Sequence, residues 1–139
     1  MTPPATLRRS TNIALCRSLH EVTLYGSPFE TPEDGNVYWV LWQAGEPLGF
    51  CSVRASIIPG CAFLSRAGVL PGARGNNYQR RMIRARVAWA REEGYASAIS
   101  WAHATNVPSL RSLVREGFLP WTPPVALDDS DVVYVRLDL

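Results

Sequence analysis

The chain has 139 residues, 47% of them hydrophobic and 19% charged, with a formal net charge of +2. This is the length and composition of one globular domain, long enough to bury a core without disulfides or a structural metal, and it excludes a disordered chain. No apolar run approaches the roughly 20 residues that a membrane span needs, and the opening Met1-Thr-Pro-Pro-Ala-Thr-Leu-Arg-Arg has no apolar stretch to make a secretory leader.

Taken in chain order, residues from about Thr6 to Leu24 carry apolar side chains at helical spacing (Ile13, Leu15, Cys16, Leu19, Val22), which predicts a first helix. Ser27 to Gly35 is rich in Pro, Gly, Asp and Thr and reads as a loop. Val37 to Trp42 is dense in β-branched and aromatic residues and reads as a strand. A turn at Ala44-Gly45 leads to a second strand, about Leu48 to Ile58, and Pro59-Gly60 leads to a third, about Cys61 to Leu70. From about Asn77 to Glu93 the residues Met82, Ile83, Val87, Trp89 and Ala90 share one helical stripe, and Gly94 follows as a C-terminal stop. Tyr95 to His103 is predicted as a strand, Val107 to Glu116 as a helix ending at Gly117, and Asp131 to Leu139 as a last alternating strand. The order predicts a mixed α/β sheet, antiparallel at its start, with a strand-helix-strand crossover in the middle.

All fourteen basic side chains are Arg. Acids are absent from Pro47 to Arg91, a stretch that holds eight of those Arg, and the C-terminal end turns acidic with Asp128, Asp129, Asp131 and Asp138. Such a zone suits phosphates or nucleic acid, and guanidinium suits phosphate better than ammonium; a solvated helix face explains it equally well. The cysteines Cys16, Cys51 and Cys61 form no CxxC pair and no even framework, so they read as reduced thiols of a cytoplasmic protein. With two distant histidines, no metal site is expected.

Two turns carry chemistry. Val69-Leu-Pro-Gly-Ala-Arg74-Gly75-Asn76-Asn77-Tyr78-Gln79 joins a strand to the Arg-rich helix. Unpaired N–H groups and the positive dipole end of a helix can cradle phosphates there, and Gly75 lets the backbone approach a ligand. It is neither a Walker loop nor a GxGxxG fingerprint. The second turn is Asn106-Val-Pro-Ser109-Leu-Arg-Ser112, just past a strand end. Asn106 can meet a ligand there, or simply cap the helix whose first turn holds Pro108.

Together these segments resemble the GNAT superfamily of acyl-CoA N-acyltransferases. Val69-Leu-Pro71-Gly-Ala-Arg74-Gly75 matches the first half of the family's V-x-P-x-x-R-G-x-G-x-G/A loop. Asn106, Ser109, Gly117 and Phe118 match its N-x-x-A/S-x-x-L-Y-x-x-x-G-F segment at the same spacing. The resemblance covers about Leu64 to Pro120 and implies a single domain over residues 1–139, with a central, mostly antiparallel mixed sheet and helices on both faces. There are departures: Asn77 stands at the loop's second glycine, Gln79 at its third small residue, and Leu113 at the family's frequent tyrosine. The family's usual first strand has no clear counterpart, beyond a very short one near Ala5 to Leu7.

The resemblance implies transfer of an acetyl group from acetyl-CoA to a primary amine, small-molecule or peptide, with no metal, no membrane and often a homodimer. Backbone groups of Ala67 and Val69 would hold pantetheine and polarise the thioester carbonyl. Arg74, Gly75, Asn76, Asn77, Tyr78 and Gln79 would bind pyrophosphate, and Asn106 with Ser109 would hold the pantetheine arm or the acceptor. His103, at a strand end, has a useful intrinsic pKa and is the candidate base, or a strand-end histidine without a chemical role. With Leu113 in place of tyrosine, the acid would be Tyr78, Ser112, water or nothing, since a CoA thiolate is a tolerable leaving group. Glu30, Glu33 and Asp34 would attract a cationic acceptor or merely solvate a loop, and Trp101 and Trp121 would line an acceptor pocket or pack. Two alternatives are a catalytically degenerate acyl-CoA-binding module and a nucleic-acid-binding protein using Arg80, Arg81, Arg84 and Arg91; the helix lacks the interleaved aromatics that the latter needs.

Overall fold

The chain begins as a strand rather than a helix. In a computed structural model, which describes residues 3–24, 26–125, 127 and 131–139, Thr6–Ser10 (β1) pairs antiparallel with Val37–Gln43 (β2), Thr6 opposite Trp42 and Ser10 opposite Tyr38. The helix predicted from Thr6 therefore starts later, as Ile13–Thr23 (α1), with the Asn12 side chain accepting from the Leu15 N–H at 3.1 Å as its cap. Helical spacing ran on into Thr6–Ser10 because this segment is largely exposed and carries no apolar alternation of its own. Pairing and the Arg9 guanidinium over the Trp39 ring, 5.2 Å from its centroid, hold it.

The remaining elements are Glu46–Ala55 (β3), Cys61–Val69 (β4), Tyr78–Glu92 (α2), Ser97–His103 (β5), Val107–Arg115 (α3), Leu119–Pro120 (β6) and Val132–Asp138 (β7). The seven strands form one mixed sheet in the order β1-β2-β3-β4-β5-β7-β6. Its β4–β5 pair is parallel, and its β1–β2, β2–β3, β5–β7 and β6–β7 pairs are antiparallel. β6 has no sequence signal, since two residues ending in Pro have no periodicity. Asp128 and Asp129 of the acidic run lie outside the described residues.

The chain divides into two compact units, Met1–Arg54 with Ser65–Met82, and Ala55–Leu64 with Ile83–Leu139. In the first, α1 buries Cys16 and Leu19 against Tyr38, Val40 and Phe50 on one face of β2–β3. Met82 of α2 lies on the opposite face, where a side chain at Gly49 would meet its Cε. A buried hydroxyl chain ties β2, β3 and β4. The Arg66 N–H donates to Ser52 Oγ (3.2 Å), Ser52 Oγ lies 2.7 Å from Ser65 Oγ, and Ser65 donates to Asn36 Oδ1 (2.7 Å). The Asn36 amide in turn donates to the Thr31 carbonyl, so every member of the chain has a partner.

In the second unit, Cys61, Phe63 and Ile99 form a core cluster covered by Ile58, Trp101, Trp121 and Leu127, side chains from strands and loops. β5 and β7 are paired along their whole length, from Ser97 opposite Asp138 to His103 opposite Val132. All three cysteines are buried and free. Among the described residues, no helix is long and apolar enough to cross a membrane.

Candidate functional site

The turn after β4 lies wholly in the first unit. Val69 is buried at the strand end, Leu70 donates its N–H to the Leu48 carbonyl (2.8 Å), and Pro71–Ala73 form one 3-10 turn that the Arg74 N–H closes onto Pro71. Gly75 then takes φ +86° and Asn77 φ +60°. Both lie in the left-handed region, so Asn77 adopts the backbone that the family builds with glycine, at the small steric cost Asn tolerates. Space at the Gly75 Cα is open.

The side chains of this turn fold back onto it. Arg74 Nε donates to the Val69 carbonyl at 3.1 Å, and the Asn76 amide donates to the Ala73 carbonyl at 2.8 Å. Neither fills the space before α2, whose first N–H groups, Tyr78 and Gln79, have no intrahelical acceptor. The dipole of a 15-residue helix adds positive potential at that end. Arg81 arches over the Tyr78 ring (5.9 Å) and donates to the Ala5 carbonyl (2.9 Å). The structure thus brings Val69 and Arg74 to Gln79 together in one turn between the end of β4, the strand that holds Ala67, and the start of α2.

The other predicted residues lie in the second unit. Asn106 caps α3: its Oδ1 accepts from the Ser109 N–H at 3.4 Å, and its own N–H donates to the His103 carbonyl at 2.8 Å. His103 is exposed at the end of β5, while its neighbour Ala102 is buried on the opposite face. Leu113 is buried, so the position of the family's tyrosine is a core position here. Ser112 donates its hydroxyl to the Pro108 carbonyl within the helix.

The expectation for Glu30 needs correcting. It does not reach outward toward a cationic acceptor. Its carboxylate pairs with Arg54 Nε at 2.5 Å and Arg66 Nη1 at 3.4 Å, and the Tyr38 hydroxyl donates to its carbonyl. Asp34 is likewise engaged, accepting from the Thr31 N–H and hydroxyl. Much of the Arg-rich surface is also structural: Arg84 pairs with Glu116 at 2.5 Å, Arg81 holds Ala5, and Arg86 is buried. A nucleic-acid face along α2 therefore lacks much of the charge counted from the sequence.

Two features escaped sequence reading. His20 of α1 is buried, edge-on to Phe29 (5.3 Å) and Phe50 (5.9 Å), with neither ring nitrogen partnered among the described residues. Burial, then the Arg66 charge, hold its pKa below the ordinary histidine value. A histidine on a helix face has no sequence signature that separates core from surface. The second feature is a groove of about 640 Å³ between the segment Pro120 to Val125 and the start of β7. Of its lining, only Trp121 is expected from the sequence to line a pocket.

Comparison with known proteins agrees with this geometry. The Acetyltransferase (GNAT) family model matches residues 10–118, most of the chain. Among solved structures, an IAA acetyltransferase from Bacillus cereus superposes with a TM-score of 0.79 at 15% identity, covering 98% of this chain and 100% of that one. The ribosomal-protein-S18-alanine N-acetyltransferase from Escherichia coli gives 0.75 at 16% identity, covering 97% and 94%. An acetyltransferase from Streptococcus agalactiae gives 0.77 at 14%, covering 97% and 98%. Among curated proteins none matches the chain by sequence. At these identities the structures establish the shared fold, and the family match establishes kinship: the chain belongs to the GNAT acetyltransferase family and is an acyl-CoA N-acyltransferase.

Proposed function

We propose that the protein transfers an acetyl group from acetyl-CoA to a primary amine, on a small molecule or a peptide. The observation that supports this reading is the left-handed pair Gly75 and Asn77 ahead of α2, a backbone course that would let successive N–H groups turn toward a phosphate although Asn77 stands where the family has glycine. That turn fits a pyrophosphate: it offers backbone donors and a helix dipole, and the sequence around it holds no acid from Pro47 to Arg91. In this reading the backbone of Gly75 to Gln79 holds the pyrophosphate, with Arg74 adding charge, and Ala67 and Val69 orient pantetheine and polarise the thioester carbonyl.

The acceptor ammonium must lose a proton before attack, and His103 is the exposed group we assign to that task. The freed nitrogen lone pair forms the amide bond as the thioester C–S bond breaks; the nitrogen sheds its second proton to solvent, and sulfur leaves as a thiolate, which needs no dedicated acid. Asn106 is assigned a hydrogen bond to the pantetheine arm or the acceptor. The three buried free thiols suit a reducing cytoplasm.

Calorimetric titration with acetyl-CoA, against dephospho-CoA and ATP, tests the reading. Saturable binding that prefers acetyl-CoA, followed by a mass gain on an amine, is the expected result. An absence of binding at millimolar ligand would overturn it.

A further inference from the structure

One buried titratable group in the first unit has no part in the transfer reaction. His20 of α1 is 2% exposed, and neither of its ring nitrogens has a hydrogen-bond partner among the described residues. Its aromatic walls are of two kinds. Phe50, edge-on at 5.9 Å, belongs to β3 and is fixed by the sheet. Phe29, edge-on at 5.3 Å, belongs to the segment 28–34 between α1 and β2, whose regular structure is one 3-10 turn at Pro32–Asp34. Side chains, not strand pairing, fasten that segment. Phe29 stacks on Tyr38 at 5.8 Å and 16°, with the Arg17 guanidinium 4.7 Å from its ring. Arg66 donates from Nε (3.3 Å) and Nη2 (3.2 Å) to the Pro28 carbonyl, and its Nη1 lies 3.4 Å from the Glu30 carboxylate, which Arg54 also holds.

The ionisable groups around His20 offer it no unshared buried anion. Arg17 of α1 and Arg66 of β4 both oppose a positive charge on the ring, and Glu21, which favours one, is exposed on the same helix. Glu30 of the segment is already shared by Arg54 of β3 and Arg66, while its neighbours Glu33 and Asp34 are exposed. The Cys16 thiol of α1 and the Tyr38 phenol of β2 are buried, which holds both neutral. An imidazolium at this place would lack both water and an acceptor, a state far costlier than the neutral ring. It must be hydrated to persist. Phe29 is the wall that yields with least loss, because moving it breaks no strand pairing and no helix.

We propose that His20 is an acid-sensing latch on the segment 28–34. While the ring is neutral, Phe29 closes over it; when the ring takes a proton from solvent, the segment lifts, water reaches the imidazolium and Glu30 withdraws from Arg54 and Arg66. Arg66 immediately precedes Ala67, so release changes the charge beside the strand assigned to pantetheine. The latch itself does not depend on the transferase reading. Its direction follows from linkage. The open ring has an ordinary histidine pKa of about 6.5 and the closed site refuses the proton, so the opening equilibrium rises about tenfold between pH 7.5 and 5.5.

The test is limited digestion of the intact protein by a glutamate-specific protease at pH 7.5 and 5.5, with first cuts located by mass. His20→Leu at the same pH values corrects for the protease's own pH dependence. Cleavage after Glu30 and Glu33 should rise about tenfold in the wild type relative to His20→Leu as the pH falls, with Glu21 and Glu46 spared, because cleavage follows the open population. A ratio that does not change with pH would overturn the latch. First cuts spread to Glu21 and Glu46 would also overturn it, by showing that the whole unit unfolds. A second measurement needs no His20 variant: the chain has two histidines, so proton NMR follows both, and His103→Gln assigns them. Phe29→Ala should raise the His20 titration midpoint toward about 6.5. A midpoint unmoved in Phe29→Ala would show that this ring does not shut the site.

Discussion

Arg74 turns back on the strand that precedes it, its Nε donating to the Val69 carbonyl at 3.1 Å. One residue proposed to meet pyrophosphate thereby holds the residue proposed to orient pantetheine. Arg74→Ala should raise the acetyl-CoA Kd by about fivefold, the scale of one exposed charge-assisted contact, and the gap should close in about 1 M salt. Titrations at two ionic strengths check both statements; a difference that survives high salt would assign Arg74 a purely structural role.

Asn77 occupies φ +60°. Asn77→Gly should retain stability and acetyl-CoA affinity within about a factor of two, because glycine adopts this backbone freely. Asn77→Val should cost about 1–2 kcal/mol, since a β-branched residue resists the left-handed region, and should weaken acetyl-CoA binding in parallel. Denaturant melts and calorimetry on the two variants separate these outcomes.

Gly68 meets the end of α1: a Cβ there would overlap Thr23 Oγ1 and approach Thr23 Cβ. Thr23 cannot easily swing aside, because its hydroxyl donates to the Leu19 carbonyl at 2.7 Å. Gly68→Ala should lower stability by about 1–3 kcal/mol. Adding Thr23→Ala should restore only part of it, since the residual Cβ still crowds the site. Full restoration in the double variant would show that the hydroxyl alone made the contact.

His20 predicts a pH dependence of stability. Its pKa in the folded protein lies below the unfolded value of about 6.5, so the unfolded chain binds the extra proton as pH falls. Stability contributed by the neutral buried ring is complete above that pH and declines below it, by at most about 1.4 kcal/mol per pH unit from this group. Urea melts from pH 8 to 5 should show the decline, and His20→Leu should flatten it. An unchanged slope in the variant would place the dependence on other groups.

His103 stands exposed at the end of β5, opposite Val132. His103→Ala should lower kcat/KM by about 100-fold near neutral pH, with much of the loss recovered at high pH where the amine deprotonates unaided. His103→Gln should behave alike, because it keeps polarity without a titrating nitrogen. A wild-type pH profile in either variant would remove His103 from the reaction.

Much of the architecture was legible because local signals agreed with the final fold. The stripe Met82, Ile83, Val87, Ala90 set α2, the alternation in Val132 to Leu137 set β7, and Gly45, Gly94 and Gly117 marked turns that all take positive φ. The turn that opens α2 was legible for the same reason, since its course depends on chain direction, small residues and a helix start. β1 was legible only as a very short strand near Ala5 to Leu7, and β6 not at all, because their pairing partners, and not their own composition, make them strands.

The sequence by itself determined the order of the elements other than β1 and β6, the acyltransferase family and the turn that opens α2, all of which rest on residues close together in the chain. Tertiary structure decided what each charge and ring does. Glu30 is neutralised by Arg54 and Arg66, 24 and 36 positions away, and Arg84 by Glu116. His20 loses its water to Phe29 and Phe50, and Trp101 reaches Phe63 and Tyr134 only through strand register. Electrostatics and aromatic packing act through space over a few ångströms, and only the folded chain sets which residues lie within that reach.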